Sequence, residues 1–240
     1  MRIGIVSDVH VHRPEHCVEI EELIRHINAQ EGLDLLLFAG DISHRLGQIR
    51  EFLGAITLSC PRAWVPGNHD VWVIEPESGD DSAGYRYREL LGGISEETGW
   101  YYLPEAPLRL PEHGLTVVGN IGWLSDPGFS EWFNAKESEA DASLARGFAE
   151  ALDRALSNVV EGDRIVVVTH HPPAREVLGK YAARIAYAIH GHLHERYGPT
   201  LVEGVPFVAH PFGYPEQHDD PLDGLKILEL SVGEKFLAPR

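Results

Sequence analysis

The stretch Leu33-Asp-Leu-Leu-Leu-Phe-Ala-Gly-Asp41 constrains the fold of this chain more than any other, because residues 35 to 39 are apolar without a break and end in Gly-Asp. A strand with one solvated face alternates apolar and polar residues. An unbroken run of this length therefore reads as a strand covered on both faces, which calls for packed layers on either side of its sheet. At the polar end of the strand, an unpaired Asp41 carboxylate is costly to bury, so a partner cation is implied.

The rest of the chain repeats this logic. Residues 2–7 (RIGIVS), 63–68 (AWVPGN), 115–122 (LTVVGNIG), 164–173 (RIVVVTHHPP) and 186–194 (AYAIHGHLH) read as strands running into polar loops. Between them, residues 15–30 carry Ile20, Leu23, Ile24 and Ile27 at helical spacing, and GQIREFLGAI and GYRYRELLGGI predict two more helices. The longest predicted helix spans 137–159, with Leu144, Phe148, Leu152, Ala155 and Val159 in one apolar stripe that reads as core, not as a ligand set. PTLVEG, VPFVAH and LKILELS add strands in the last third. Alternation first and adjacent strands later predict an α/β chain with two mixed sheets and helices outside, in a single domain over 1–240.

Composition excludes several classes. No apolar run approaches the length of a membrane span, and the start MRIGIVSDVH has an acidic residue by position 8 and no apolar signal core, so a cytoplasmic protein is expected. Cys17 and Cys60 lack metal or redox spacing and read as reduced structural thiols. A formal net charge of −17 without a basic cluster disfavours nucleic-acid partners, whose phosphates are bound largely by Lys and Arg. An acidic protein that handles phosphates needs cations from elsewhere, and metal ions are one source.

The loops after the predicted strands hold the unusual residues: SDVH, AGDISHR, PGNHD, THHPP and HGHLH. In open α/β architectures ligands gather beyond the carboxyl ends of strands. Asp8 and His10 are two apart, as are His192 and His194, so each pair projects to one side if its strand persists. Taken singly, each position has an ordinary account: Asp8 as a cap, Asn68 as a left-handed turn after Gly67, His170 as a polar strand end. Five such blocks, all at strand ends, point instead to one metal site.

The ordered set Asp8-x-His10, Gly40-Asp41, Gly67-Asn68-His69-Asp70, His170 and Gly191-His192-x-His194 resembles the signature of the calcineurin-like metallophosphoesterases, and the resemblance spans residues 3 to about 210. It implies a four-layer α-β-β-α sandwich of two mixed sheets and a two-metal phosphoester hydrolase. By this resemblance Asp8, His10 and His194 hold one ion, Asn68, His170 and His192 the other, and Asp41 bridges them. Mixed carboxylate, imidazole and amide donors suit Mn²⁺, Fe or Zn²⁺, about 3.5 to 4 Å apart in two-metal sites, with an acidified water as nucleophile. His69 then faces the leaving-group oxygen as a general acid. Asp70 either orients it by a hydrogen bond or caps the turn.

GDISHR resembles the GDxxDR block of the protein-phosphatase branch, which implies Arg45 as a phosphate clamp. The chain departs from that branch at His44, Leu46 and Asp70, where Asp, Gly and Glu are expected, so protein phosphatase activity is not implied. His171 reads as shaping its turn or supporting the ligands, His12 and His44 as lining the site mouth or solvated, and His190 as a supporting residue behind the ligands. The expected substrate is a small phosphomonoester or phosphodiester, cyclic nucleotides included. A nuclease and a non-catalytic metal-binding scaffold are the alternatives. Substrate choice is expected in 71–110 and in the loop 122–136, whose Trp123, Phe129, Trp132 and Phe133 either stack on substrate or close a core.

Overall fold

The structure, a computed structural model, describes residues 1–74, 82–123, 138–214, 217 and 220–231, with backbone alone for His16 and for 138–145. The first sheet contains β1 (Arg2–Val6), β2 (Leu35–Phe38), β3 (Arg62–Trp64) and β4 (Tyr101–Tyr102), parallel to one another in that spatial order. On its outer face lie α1 (Cys17–Asn28), α2 (Leu46–Ala55), the one-turn α3 (Asn68–Val71), α4 (Ala83–Tyr85) and α5 (Leu91–Thr98). The second sheet has the order β5 (Leu108–Leu110), β6 (Leu115–Asn120), β7 (Arg164–Thr169), β8 (Ile185–His190), β10 (Val205–Ala209) and β9 (Tyr197–Val202), with α6 (Ser138–Ser157) and α7 (Arg175–Gly179) outside. β11 (Lys226–Glu229) closes the first sheet, antiparallel to β1.

The unbroken apolar runs are explained by this layering. Ile3, Ile5, Leu35 and Leu37 point between the sheets and meet Val117, Val166, Val168, Ile189 and Val208. Their neighbours Val6, Leu36 and Phe38 point the other way, against Leu23 and Ile27 of α1 and Ile49 and Phe52 of α2. Ile165 and Val167 of β7 face Leu152, Leu156 and Val159 around α6. Alternate residues thus enter different cores, and the four-layer α-β-β-α sandwich follows.

Several elements differ from the sequence expectation. The helix expected over 84–94 reaches Thr98 and contains a π turn at Arg86–Leu90. At the start of that turn Arg86 is fully buried, and its Nη1 donates to the carbonyls of His44 (2.7 Å) and Trp72 (2.8 Å). Of the α6 stripe, Phe148 packs instead toward Tyr87 and the first sheet's outer core, and the Leu144 side chain lies outside the described residues. The short β4, β5 and α7 were not expected, since two to five residues carry too little periodicity to register.

Arg86 ties the loop after β2 to the segment after α3. Arg86→Gln is expected to lower unfolding free energy by about 3 kcal/mol, because buried carbonyls lose charge-assisted partners. Urea unfolding measures this, and an unchanged midpoint would show that the tie is dispensable.

Candidate metal centre

Parallel pairing places the carboxyl ends of β1, β2 and β3 together, and those of β7 and β8 beside them across the inter-sheet core. The five polar loops therefore meet at one edge. Backbone hydrogen bonds lock them: Asp8 N to Gly40 O (2.9 Å), His10 N to Asp41 O (3.1 Å) and Gly191 N to His170 O (3.0 Å). Among the described residues, non-glycine backbones with positive φ are Glu203 and five candidate ligands: Asp8, His10, Asp41, His192 and His194. Such conformations cost about 1–3 kcal/mol each and persist where the surroundings over-determine them.

The seven expected donors converge. Asn68 Oδ1 lies 3.0 Å from both His170 Nε2 and His192 Nδ1. His194 Nε2 lies 3.1 Å from His10 Nε2 and 3.4 Å from Asp8 Oδ1. Between the two groups, Asp41 Oδ2 is 3.4 Å from His170 Nε2 and 4.0 Å from His10 Nε2. Donors about 2.1 Å from one ion, at tetrahedral or octahedral angles, lie about 3.0–3.4 Å from each other. Spacings within each trio match that value, so the residues fit a pair of divalent cations.

Two further observations agree with that fit. Asp8 and Asp41 are 0% and 2% exposed, and Asp8 Oδ2 has no hydrogen-bond partner among the described residues. A buried carboxylate oxygen left so is unfavourable unless a cation serves it. The outward nitrogens of two histidines are also spoken for. His170 Nδ1 donates to Ala39 O (2.8 Å), and His194 Nδ1 donates to Gln217 Oε1 (2.9 Å), which also accepts from Tyr214 N (2.7 Å). These contacts engage Nδ1 of each ring and leave Nε2 as the nitrogen that faces the other donors. Gln217 and the Ala39 carbonyl were invisible to sequence reasoning, since neither belongs to a motif.

Charge and burial compete throughout. Burial pulls His10 down to about 3 and His192 to about 4, the latter aided by neighbouring His170. At His170 burial acts downward too, but the Asp41 carboxylate and its hydrogen bond outweigh it and lift the ring to about 9. For His69 burial wins over the attraction of Asp41, and its pKa lies below the usual imidazole value.

His69 Nε2 faces Asp41 Oδ2 at 3.9 Å, beside the donors and not within either trio, and its ring packs on Trp72 with centroids 4.2 Å apart. Of the two expectations for Asp70, its hydrogen bonds agree with the turn cap. Its carboxylate accepts the backbone N–H groups of Gly67 (2.7 Å), Asp41 (2.9 Å), Ile42 (2.8 Å) and Ser43 (2.8 Å), which occupies both oxygens and leaves none for orienting the His69 ring. Asp70 shapes the loops that carry Asp41 and Asn68. Burial and the Asp41 carboxylate push its pKa up to about 7 against those four donors.

Arg45 is exposed just before α2, and among the described residues no hydrogen bond or ion pair engages its guanidinium. His190, fully buried, directs its nitrogens to Gly191 O and the Tyr197 hydroxyl, away from the donors. His12 lies between His44 and His69, with centroids 4.7 and 5.4 Å away. His171 packs against the ligand candidate His192 at 4.0 Å and against Trp123 at 5.0 Å. Phe129, Trp132 and Phe133 lie outside the described residues. Cys17 and Cys60 are free thiols.

The motif glycines have a steric role. A Cβ at Gly191 would collide with Asp8 Oδ2, and one at Gly67 would meet the Asp41 carboxylate and, at 2.5 Å, its backbone N. Only glycine lets these loops approach the carboxylates so closely.

Comparison with known proteins places the geometry in context. A family model described as calcineurin-like phosphoesterase matches residues 1–196. The [acyl-carrier-protein] phosphodiesterase PptH of Mycobacterium tuberculosis is 28% identical over 146 residues, which are 60% of this chain and 41% of that protein. The match thus spans less than half of the curated relative's length. The crystal structure of phosphopantetheinyl hydrolase (PptH) from Mycobacterium tuberculosis superposes with a TM-score of 0.73 at 20% identity, over 99% of this chain and 98% of that one, which demonstrates the shared fold.

Proposed function

The chain belongs to the calcineurin-like phosphoesterase family, and from that premise we propose that it hydrolyses a small phosphodiester or phosphomonoester with two divalent cations. The observation that carries this reading is the convergence of Asp8, His10 and His194 on one side of Asp41 and of Asn68, His170 and His192 on the other, at coordination spacing. Two bound cations supply Lewis-acid charge at the phosphoryl oxygens and acidify water near neutral pH. Mn²⁺, Fe and Zn²⁺ suit the imidazole-rich donor set better than Ca²⁺ does.

The chain's own groups do the remaining work. Asp8 and Asp41 offset the cationic charge, and Asp41 keeps both trios in register. His69, held between Trp72 and Asp41, gives a proton to the departing alkoxide. Arg45 clamps a phosphoryl oxygen with its unengaged guanidinium. Asp70 supports this arrangement from behind. The similarity to the phosphodiesterase PptH favours a diester over a monoester, and a second reading follows from it: an ester carried on a protein. We place 1–240 in one domain, in keeping with the two sheets sharing one core, and the protein in the cytoplasm; no described helix is long and apolar enough to cross a membrane.

The deciding assay uses metal-stripped protein given Mn²⁺, Fe²⁺, Zn²⁺ or Mg²⁺ with bis-p-nitrophenyl phosphate and p-nitrophenyl phosphate. Turnover restored by at least one ion is expected. Silence with every ion would favour the non-catalytic scaffold. Single- and double-stranded DNA are expected to be poor substrates, because a chain of net charge −17 repels their phosphates. Efficient DNA cleavage that falls steeply with salt would instead favour a nuclease.

A further inference from the structure

A cleft of about 500 Å³ opens beside the metal centre, at the same carboxyl edge of the second sheet, between residues 120–123, residues 169–176 and the side of α6. Trp123, Pro172 and Pro173 form an apolar floor, while Arg146 and Arg175 bring two cations and Glu176 one anion. Both arginines are exposed, and among the described residues neither guanidinium has a hydrogen bond or ion pair. In a chain with 37 acidic against 20 basic side chains, two arginines without acidic partners among the described residues on one cleft stand out from the chain's charge balance. The cleft adjoins the reacting centre through packed rings: Trp123 contacts His171 at 5.0 Å, and His171 contacts His192 at 4.0 Å. His171 is 5% exposed and stands between Trp123 and His192.

We propose that this cleft is the specificity subsite for the retained arm of the ester, and that it selects phosphodiesters whose arm carries a second anionic group, a carboxylate or phosphate, on an apolar stem. The proposal rests on the hydrolase reading above. The stem lies along Trp123 and the two prolines, and the anion reaches the guanidinium forks of Arg146 and Arg175, whose planar donors match carboxylate and phosphate oxygens. Glu176 opposes the same anion and tempers the preference that the two arginines create.

The test compares two p-nitrophenyl phosphodiesters that differ only in the second alcohol, one ending in a carboxylate and the other in its methyl ester. Wild type is expected to favour the carboxylate about tenfold in KM, an advantage lost in Arg146→Gln/Arg175→Gln and increased in Glu176→Gln. Turnover of bis-p-nitrophenyl phosphate, which has no second anion, is expected to be unchanged in all three. Equal KM values for the two esters in wild type, or a preference that survives removal of both arginines, would overturn the subsite. Should no ester turn over, calorimetric binding of the two diesters reads the cleft by itself: weaker binding of the carboxylate ester alone in the double variant supports it, and identical binding refutes it.

Discussion

Asp41→Ala is expected to lower phosphoester turnover by about 10³-fold or more and to reduce metal content below two ions per chain. The carboxylate lies between the two trios, 3.4 Å from His170 Nε2 and 4.0 Å from His10 Nε2, with 2% of its surface exposed. Two dications a few ångströms apart repel strongly in a poorly hydrated pocket, and the shared anion offsets that repulsion. Loss of charge stabilisation worth several kcal/mol, at about 1.4 kcal/mol per decade of rate, gives the stated effect. Elemental analysis and thermal unfolding read it independently of activity. Metal at 1,000 times its Kd stabilises a folded chain by about 4 kcal/mol, and the variant should gain much less than wild type from added Mn²⁺ or Zn²⁺. Full metal content and full turnover in the variant would remove Asp41 from the bridging role.

His69→Ala is expected to keep metal content near wild type while lowering turnover by about 10² to 10⁴ on esters with poor leaving groups, the usual contribution of a positioned general acid. Its ring belongs to neither trio, which separates it from His192, whose Nδ1 meets Asn68 Oδ1 at 3.0 Å. A p-nitrophenyl ester needs little protonation of its leaving group, so the variant should be far less impaired on it than on an alkyl phosphate ester. His192→Ala should impair both esters and lose metal. The pH dependence carries a sign as well. Burial lowers the His69 pKa more than Asp41 raises it, so its protonated fraction declines as pH rises from the acid side. The advantage of wild type on the alkyl ester should therefore be greatest at low pH and shrink toward alkaline pH. Equal losses on both esters with metal retained would leave His69 as a phosphate-orienting group.

The Asp70 result shows where local reasoning stops. From its place beside His69, a hydrogen bond to that ring and a turn cap are both open. The chain's return path decides between them, since Asp41, Ile42 and Ser43, some 28 residues upstream, present their N–H groups to the same carboxylate. Arg86 is similar: nothing in RYREL separates a buried arginine from a solvated one, and only the meeting of residues 44 and 72 around it creates its two acceptors.

What the sequence determined by itself is therefore the kind of chemistry and the layering. Unbroken apolar runs require burial on two faces, and donors that follow those runs must emerge at strand ends, as Asp8, Asp41, His170 and His192 do. What only the tertiary structure decided is how those ends share one pocket and what supports them. His170 finds the Ala39 carbonyl 131 residues away, and the His192 backbone N–H finds Asp8 across 184 residues. Periodicity reports which face of an element is apolar, because that depends on a helix's or strand's own repeat. Hydrogen-bond partners at such separations depend on how whole sheets pack, and no local repeat encodes that.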